Sequence, residues 1–227
     1  MKRIIFFVVF GLGGLSILVS LGIWQMQRLA WKQAIITQIE ERIVEAPIAL
    51  PANPNRVDDK YLSVTAEGFV NPEFLRVLVS QKRIGAGYKL ISPLVLQDRT
   101  VLLDRGFISV NDTLPTDITA QVRSVVTGNL HWPQEIDSYT PAPDIAKNIW
   151  FARDVDAMAK ILKTDPVMIV LREISPADTN VTPLPVDTVN IPNDHLQYAI
   201  TWFLLALIWS AMTAYFLLRN DSNTTET

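Results

Sequence analysis

Ile4 to Trp24 reads IIFFVVFGLGGLSILVSLGIW and Tyr198 to Leu218 reads YAITWFLLALIWSAMTAYFLL, each 21 residues without a charged side chain. At ~1.5 Å of rise per residue, a helix of that length matches the roughly 30 Å hydrocarbon core of a bilayer. The pair decides the architecture: residues 4–24 and 198–218 form a membrane α-helical hairpin, residues 25–197 lie outside the bilayer, and residues 219–227 form a tail. Lys2 and Arg3 give the first segment the basic start of a secretory signal. Its apolar run exceeds the usual ~7–15 residue signal core and no Ala-x-Ala site follows, so it reads as an uncleaved anchor. Lys2 and Arg3 before the first span are balanced by Arg28 and Lys32 after it. No Lys or Arg lies between Arg172 and the second span, whereas Arg219 follows at once, which places both termini in the cytoplasm.

Composition narrows the chemistry. With no Cys among 227 residues there is no disulfide framework, no thiolate metal site and no copper-binding cysteine pair. A formal charge of −3 and a pI near 5.4 give no sign of a nucleic-acid surface. Only His131 and His195 are available for general acid–base work, and neither belongs to a Gly-x-Ser-x-Gly turn or a phosphate-cradling glycine loop. Gly85-Ala86-Gly87 is too short for such a loop and reads as a turn with unusual backbone angles. Conventional catalysis is therefore poorly supplied.

Beyond Trp24 the helical pattern continues through Trp31, Ile35, Ile39 and Ile43 until Pro47 and Pro51 stop it. Runs rich in β-branched and aromatic residues follow at Tyr61–Val70, Phe74–Gln81, Tyr88–Leu96, Thr100–Val110 and Gln121–Leu130. Short turn-rich connections at Asn71-Pro72-Glu73, Gly85-Ala86-Gly87 and Gln97-Asp98-Arg99 suit antiparallel neighbours. The expected domain is mainly antiparallel β in an α+β context, a meander or barrel-like sheet. Arg105 is expected to pair within the Asp104-Arg105-Gly106 turn or with a neighbouring strand, and Gly106 to permit a bulge. After a proline-rich loop come a short strand at Ile149–Ala152 and a helix capped by Asp154. That helix runs to Lys163 with Ala157, Met158, Ile161 and Leu162 on its apolar side and Pro166 ending it. A strand at Val167–Ile174 and a stiff, proline-rich descent from Ser175 to Asp194 complete the domain.

The entrance of the second span carries the most chemistry. Pro192 stops a helix arriving from upstream and Asn193 is a good N-cap, so His195 falls in the first turn at the outer membrane interface. At ~100° per residue, Trp202, Ala206 and Trp209 stay within roughly 40° of His195, forming one stripe from an imidazole down two indoles. A flat apolar cofactor fits such a wall, since neutral imidazole ligates haem iron and the propionates would face water. An interfacial histidine also commonly bonds headgroups or backbone, with Trp and Tyr as belt residues, and spacing leaves both readings open. Trp209 lies too deep for a belt and reads as packing on the other helix or on lipid. Ala206, Ser210 and Ala214, facing Gly13, Ser16 and Ser20, would permit close helix approach. Trp24, Arg28 and Trp31 share a face in the same layer as His195. There Arg28 either pairs with a propionate or a partner's acidic residue, or snorkels to the headgroups.

Five blocks stand in order along the chain: Leu21-Gly22-Ile23-Trp24-Gln25 with Arg28 and Trp31-Lys32; Gly85-Ala86-Gly87-Tyr88 with Ser92-Pro93-Leu94; Val101 through Phe107; Trp150 through Val155; and Asn193 through Trp202. Together they resemble the surfeit locus protein 1 family over essentially the whole chain. Phe107, where the family often has Trp, and Asp194 before the histidine are small departures. The resemblance implies an assembly factor or chaperone for a haem-copper terminal oxidase, not an enzyme, acting on the large catalytic subunit around delivery of haem a, with haem a synthase as a further partner. In bacterial members the histidine matching His195 is implicated as a haem a iron ligand and the tryptophan matching Trp202 in holding the haem; Arg28 is the accompanying cofactor-site candidate. The chain shows no Arg- and Ser-rich presequence, so the bacterial plasma (inner) membrane is the expected location. The rivals are a haem-free scaffold that grips the oxidase subunit, a b-type electron carrier, and a periplasmic sensor, for which the nine residues from Arg219 to Thr227 leave no output module.

The charge pattern yields a direct test of topology. A reporter fused after Thr227 should report the cytoplasm and one inserted near Asp117 the opposite side; activity of the Thr227 fusion only in the periplasm would reverse the hairpin.

Overall fold

No proline or strong breaker interrupts the first helical pattern before Pro47, and the helix runs on accordingly. The computed structural model describes residues 2–81, 85–114, 123–178, 181–189 and 191–222. In chain order its elements are α1 (Lys2–Val44), β1 (Ile48–Ala49), β2 (Ser63–Val70), β3 (Leu75–Gln81), β4 (Gly85–Val95), β5 (Thr100–Ser109), β6 (Arg123–Leu130), β7 (Ile149–Trp150), α2 (Val155–Leu162), β8 (Met168–Ser175) and α3 (His195–Ser222). They divide into two compact units, residues 1–38 with 188–227, and residues 39–187. Asp117, Gln121 and Val122, which the sequence reading used, lie outside the described residues.

In the first unit, Ile5–Val44 and His195–Arg219 are both long and apolar enough to cross a membrane. The two helices touch at glycines, though not at the expected ones. A Cβ on Gly11 would lie 2.4 Å from the Thr213 methyl, one on Gly14 2.5 Å from the Trp209 indole, and one on Gly22 2.6 Å from the Phe203 ring, whereas one on Gly13 would meet nothing. Ser20 spends its hydroxyl on its own helix, at Ser16 O. Ala206 is buried as expected, but Ala214 is exposed, and Ala199 takes part instead. Residues 11, 14 and 22 lie within about 80° of one another at 100° per residue, so they form one stripe of small residues that lets large side chains of α3 sink in. The α3 cap position falls to Asp194, one residue later than Asn193: Tyr198 N donates to Asp194 O at 3.2 Å.

The second unit is one eight-stranded sheet in the order β1-β2-β6-β8-β5-β4-β3-β7. Because β2 also pairs β4, through Phe69 with Val95 and Val70 with Leu94, the strands β2, β6, β8, β5 and β4 close into a ring. The barrel expectation therefore holds and the meander survives only in β3-β4-β5. Most pairings are antiparallel, but β1–β2, β3–β7 and β5–β8 are parallel. The Asn71-Pro72-Glu73 connection does not join paired neighbours: Asn71 N donates to Pro93 O at 2.8 Å, carrying β2 onto β4. Gly85-Ala86-Gly87 is strand, paired with Gln81 to Val79 of β3, although Gly85 keeps the positive φ of +88° that a turn exit needs. The two-residue β1, between Pro47 and Pro51, escaped the sequence reading because it is too short to show alternation.

Alternate residues of these strands fill a core that includes Val64, Ile91, Leu94, Leu102, Leu130, Ile169 and Leu171, with Trp132 and Trp150 at its margin. Met158, Ala159 and Leu162 bring α2 onto it. The Asp154 side chain caps α2 by accepting from Ala157 N at 3.0 Å. Lys163 in the left-handed region stops it, ahead of Pro166, and its buried face is Val155, Met158, Ala159 and Leu162 while Ile161 is exposed. The descent after β8 is not free: Phe107 and Thr182 exchange backbone hydrogen bonds at 2.7 and 2.9 Å, and Val181 is buried with Leu90 and Ile108.

That docking depends on Gly106. The register between β4 and β5 slips so that Leu90 faces Gly106 and Ile91 faces Asp104, which makes Arg105 the extra residue of the expected bulge. Gly106 has φ +115°, and a Cβ there would lie 2.2 Å from Thr182 O and 2.6 Å from Pro183 Cα. Gly106→Val combines disallowed backbone with a clash against backbone, so it should cost at least about 2 kcal/mol. The full-length variant should melt at a clearly lower temperature and accumulate poorly; an unchanged melt would refute this packing of Gly106 on Thr182.

Candidate functional site

The C-terminal half of α1 and the start of α3 place the expected residues unequally. His195 is half-buried in the first turn of α3, and its Nδ1 lies 2.8 Å from Oε1 of Gln25 on α1. Gln25 itself is buried. Trp202 is half-buried two turns deeper on the same stripe of α3. Trp209, at the end of that stripe, faces α1, where its indole N–H donates to Gly11 O at 3.0 Å and its ring packs on Phe10 at 5.3 Å. Along the stripe His195, Trp202 and Trp209 are each half-buried, while Ala199 and Ala206 between them are buried. Arg28 is exposed, with its guanidinium 5.8 Å from the Trp24 ring and 5.2 Å from that of Trp31, so these three do form one cation–π stack. It stands less than one helical turn from Gln25, hence in the layer of His195.

Gln25 was missed as a site residue. Its signal was present: it is the first polar side chain after the apolar run, and at 100° per residue it falls on the stripe of Gly11, Gly14 and Gly22. A neutral imidazole whose Nδ1–H is held by an acceptor leaves Nε2 as a bare donor nitrogen, the arrangement histidine ligands of metals usually have. Such an imidazole would suit haem iron as a nitrogen ligand.

A second constellation, inside the β domain, joins residues of two of the sequence blocks with Lys89 and Glu135. Asp104 on β5 is fully buried and bonds Lys89 Nζ at 3.2 Å, Arg153 Nη1 at 2.9 Å and Gly106 N at 3.2 Å. Arg153 in turn grips Glu135, whose Oε2 accepts from the Arg153 backbone N at 2.9 Å and whose Oε1 accepts from Nε at 3.0 Å. Burial works against the Glu135 carboxylate, yet hydrogen bonds and charge from Arg153 win and hold it below the usual range. Burial likewise opposes the Arg153 cation, and Glu135 and Asp104 raise its pKa nonetheless. Removing Asp104 leaves Lys89 and Arg153 largely buried without that carboxylate, roughly a 3–5 kcal/mol loss, whereas the more exposed Glu135 contributes less, so the network reads as structural. Arg105 lies apart from it and ion-pairs with Asp178 in the descent after β8, neither within its own turn nor with a strand.

Beside this network a cleft of about 680 Å³ is lined by Arg56, Lys60, Trp132, Glu135, Arg153 and Asp156, with Arg56 and Asp156 ion-paired across it at 2.5 Å. Among the described residues no cluster of three or more His, Asp and Glu could hold a metal ion. His131, the other histidine, stacks on Tyr61 at 5.2 Å, and its Nδ1 is buried without a partner. Burial first, then the charges of Arg153 and Lys60, push its pKa down from 6.5 to about 4. The unfolded chain takes up this proton near pH 6.5 and the folded one only near pH 4, so stability is full above pH 6.5 and falls as the pH drops between those values. At ~1.4 kcal/mol per pH unit the loss reaches roughly 3 kcal/mol. The melting temperature should decline from pH 6.5 to 5 in the wild type and stay nearly level in His131→Gln; parallel declines would show that another group titrates.

A family model described as the SURF1 family matches residues 13–207. Surfeit locus protein 1 of Rattus norvegicus is 31% identical over 226 residues, covering 88% of this chain and 71% of that protein. The SURF1-like protein of Rickettsia prowazekii (strain Madrid E) is 29% identical over 218 residues, covering 91% and 87%. Surfeit locus protein 1 of Homo sapiens is 29% identical over 219 residues, covering 86% and 71%. The family match covers the β domain and reaches into the apolar helix on either side, and the chain belongs to the SURF1 family, a family of cytochrome oxidase assembly factors rather than a class of enzymes.

Proposed function

We propose that this chain binds haem a at the outer ends of its two apolar helices and assists its insertion or protection in the catalytic subunit of a haem-copper terminal oxidase. The observation that carries the reading is His195, half-buried in the first turn of α3 with its Nδ1 2.8 Å from Gln25 Oε1, on the same helical stripe as Trp202. His195 would hold the iron, Trp202 would supply apolar wall, and Arg28 is the cation for a propionate. Bound haem supplies an iron that accepts an imidazole nitrogen; the protein supplies the fixed ring, the wall and the charge. The β domain is the part that meets the oxidase subunit, and haem a synthase is the natural donor. In this reading the helices cross a bacterial plasma membrane with both termini in the cytoplasm and the β domain outside.

The test is haem content after purification from a host making haem a. His195→Ala leaves the apolar span unchanged, so insertion and abundance should hold while bound haem a falls sharply. Trp202→Leu should lower it less, because packing is lost and no iron bond. Full haem a with an unshifted Soret band in the alanine variant would end the ligand reading and favour a haem-free scaffold that stabilises the oxidase subunit.

A further inference from the structure

Among the described residues of the helical pair, Gln25 is the one polar side chain in the buried class, at 9% exposure. A buried amide in an apolar setting is costly unless it is bonded, and the partner it has is His195 Nδ1 at 2.8 Å. Its position is tightly set by its neighbours on the same stripe: Gly22, one turn before it, lies under the Phe203 ring, and Leu29, one turn after it, is buried. Ala199, one turn beyond His195 on α3, is also fully packed. With the Gln25 oxygen as the facing atom, Nδ1 would carry the imidazole proton and the Nε2 lone pair would be left bare.

We propose that Gln25 is a positioning residue that fixes the His195 tautomer and ring orientation, so that Nε2 faces outward as the ligand nitrogen; the inference rests on the haem reading of His195. Free histidine favours the opposite tautomer, with the proton on Nε2, and that proton would block the outward nitrogen. Histidine ligands of metals commonly donate their second N–H to a carboxylate or a carbonyl, and losing that partner typically lowers affinity 10–100-fold. At the mouth of an apolar helix pair a carboxylate would bury a charge, whereas an amide offers the same acceptor oxygen without one. Glutamine is thus the residue type that meets both demands.

The experiment uses the full-length protein in lipid nanodiscs with ¹⁵N-labelled histidine. There are two histidines in the chain, and loss of one ring's signals in His195→Ala assigns them. Wild type should show His195 protonated on Nδ1. Gln25→Leu and the smaller Gln25→Ala should shift it to the Nε2–H form, and Gln25→Glu, which keeps an acceptor oxygen, should restore Nδ1–H. With haem a added, Gln25→Leu should bind at least about tenfold more weakly, with a lower iron–imidazole stretching frequency in the ferrous state. A wild-type His195 protonated on Nε2, or tautomer and stretching frequency that ignore all three substitutions, overturns the inference. Full haem a binding by His195→Ala with the tautomer results as expected overturns instead the ligand reading on which it rests, so the two failures are separable.

Discussion

The contact between Trp209 and the glycines of α1 governs the site, although it lies at the far end of the stripe from His195. The indole sinks over Gly14 and donates to Gly11 O, which is possible only where two turns of helix carry no Cβ on that face. Once this pair is locked, helical geometry leaves little freedom outward: Gly22 must take Phe203, and Gln25 must meet His195. The rigid stripe explains why a polar pair can stand at the apolar mouth in one fixed arrangement. It also explains why Trp209, for all its alignment with His195 in sequence, belongs to the scaffold.

The β domain rests on a different device, a single carboxylate buried in the middle of a strand. Asp104 holds Lys89 from the neighbouring strand and Arg153 from the start of the helical cap, and it also accepts from Gly106 N at the bulge. The bulge then turns Arg105 out to Asp178 and opens the backbone of Phe107 to Thr182. Two sequence blocks that look like separate motifs, joined by Lys89 of the neighbouring strand, therefore serve one electrostatic knot. Asp104, Lys89 and Arg153 depend on one another, since any one charge left alone in that setting would be costly. Nothing in this knot calls for a ligand, which separates the structural work of the domain from the proposed chemistry at the helix mouth.

The uneven legibility of the site has a physical cause. His195 stood out because it breaks an apolar pattern at a helix start, and Arg28 because a cation between two indoles shows its spacing openly. Gln25 broke the same kind of pattern but has no chemistry until a partner 170 residues away supplies it. The small-residue stripe was legible in kind and misplaced in detail, since Gly13, Ser16 and Ser20 offer the same composition as Gly11, Gly14 and Gly22. Which set faces inward depends on the rotation of α1, and that is settled by where Trp209 and Phe203 fit.

What the sequence determined by itself is everything whose physics is local. The lengths of the apolar runs, the continuation of α1 to the residues before Pro47, the two-residue alternation of the strands and the Asp154 cap all act over a few positions, and each appears near its expected place. Only the tertiary structure decided which strands pair. The insertion of β8 between β5 and β6, and the closure of β2 on β4, join residues far apart whose match depends on side-chain volume and register, not on neighbours in the chain. The partners of Asp104, Arg105 and His195 were hidden for the same reason: a charge or an imidazole announces that it needs a partner, but only packing chooses which one it gets.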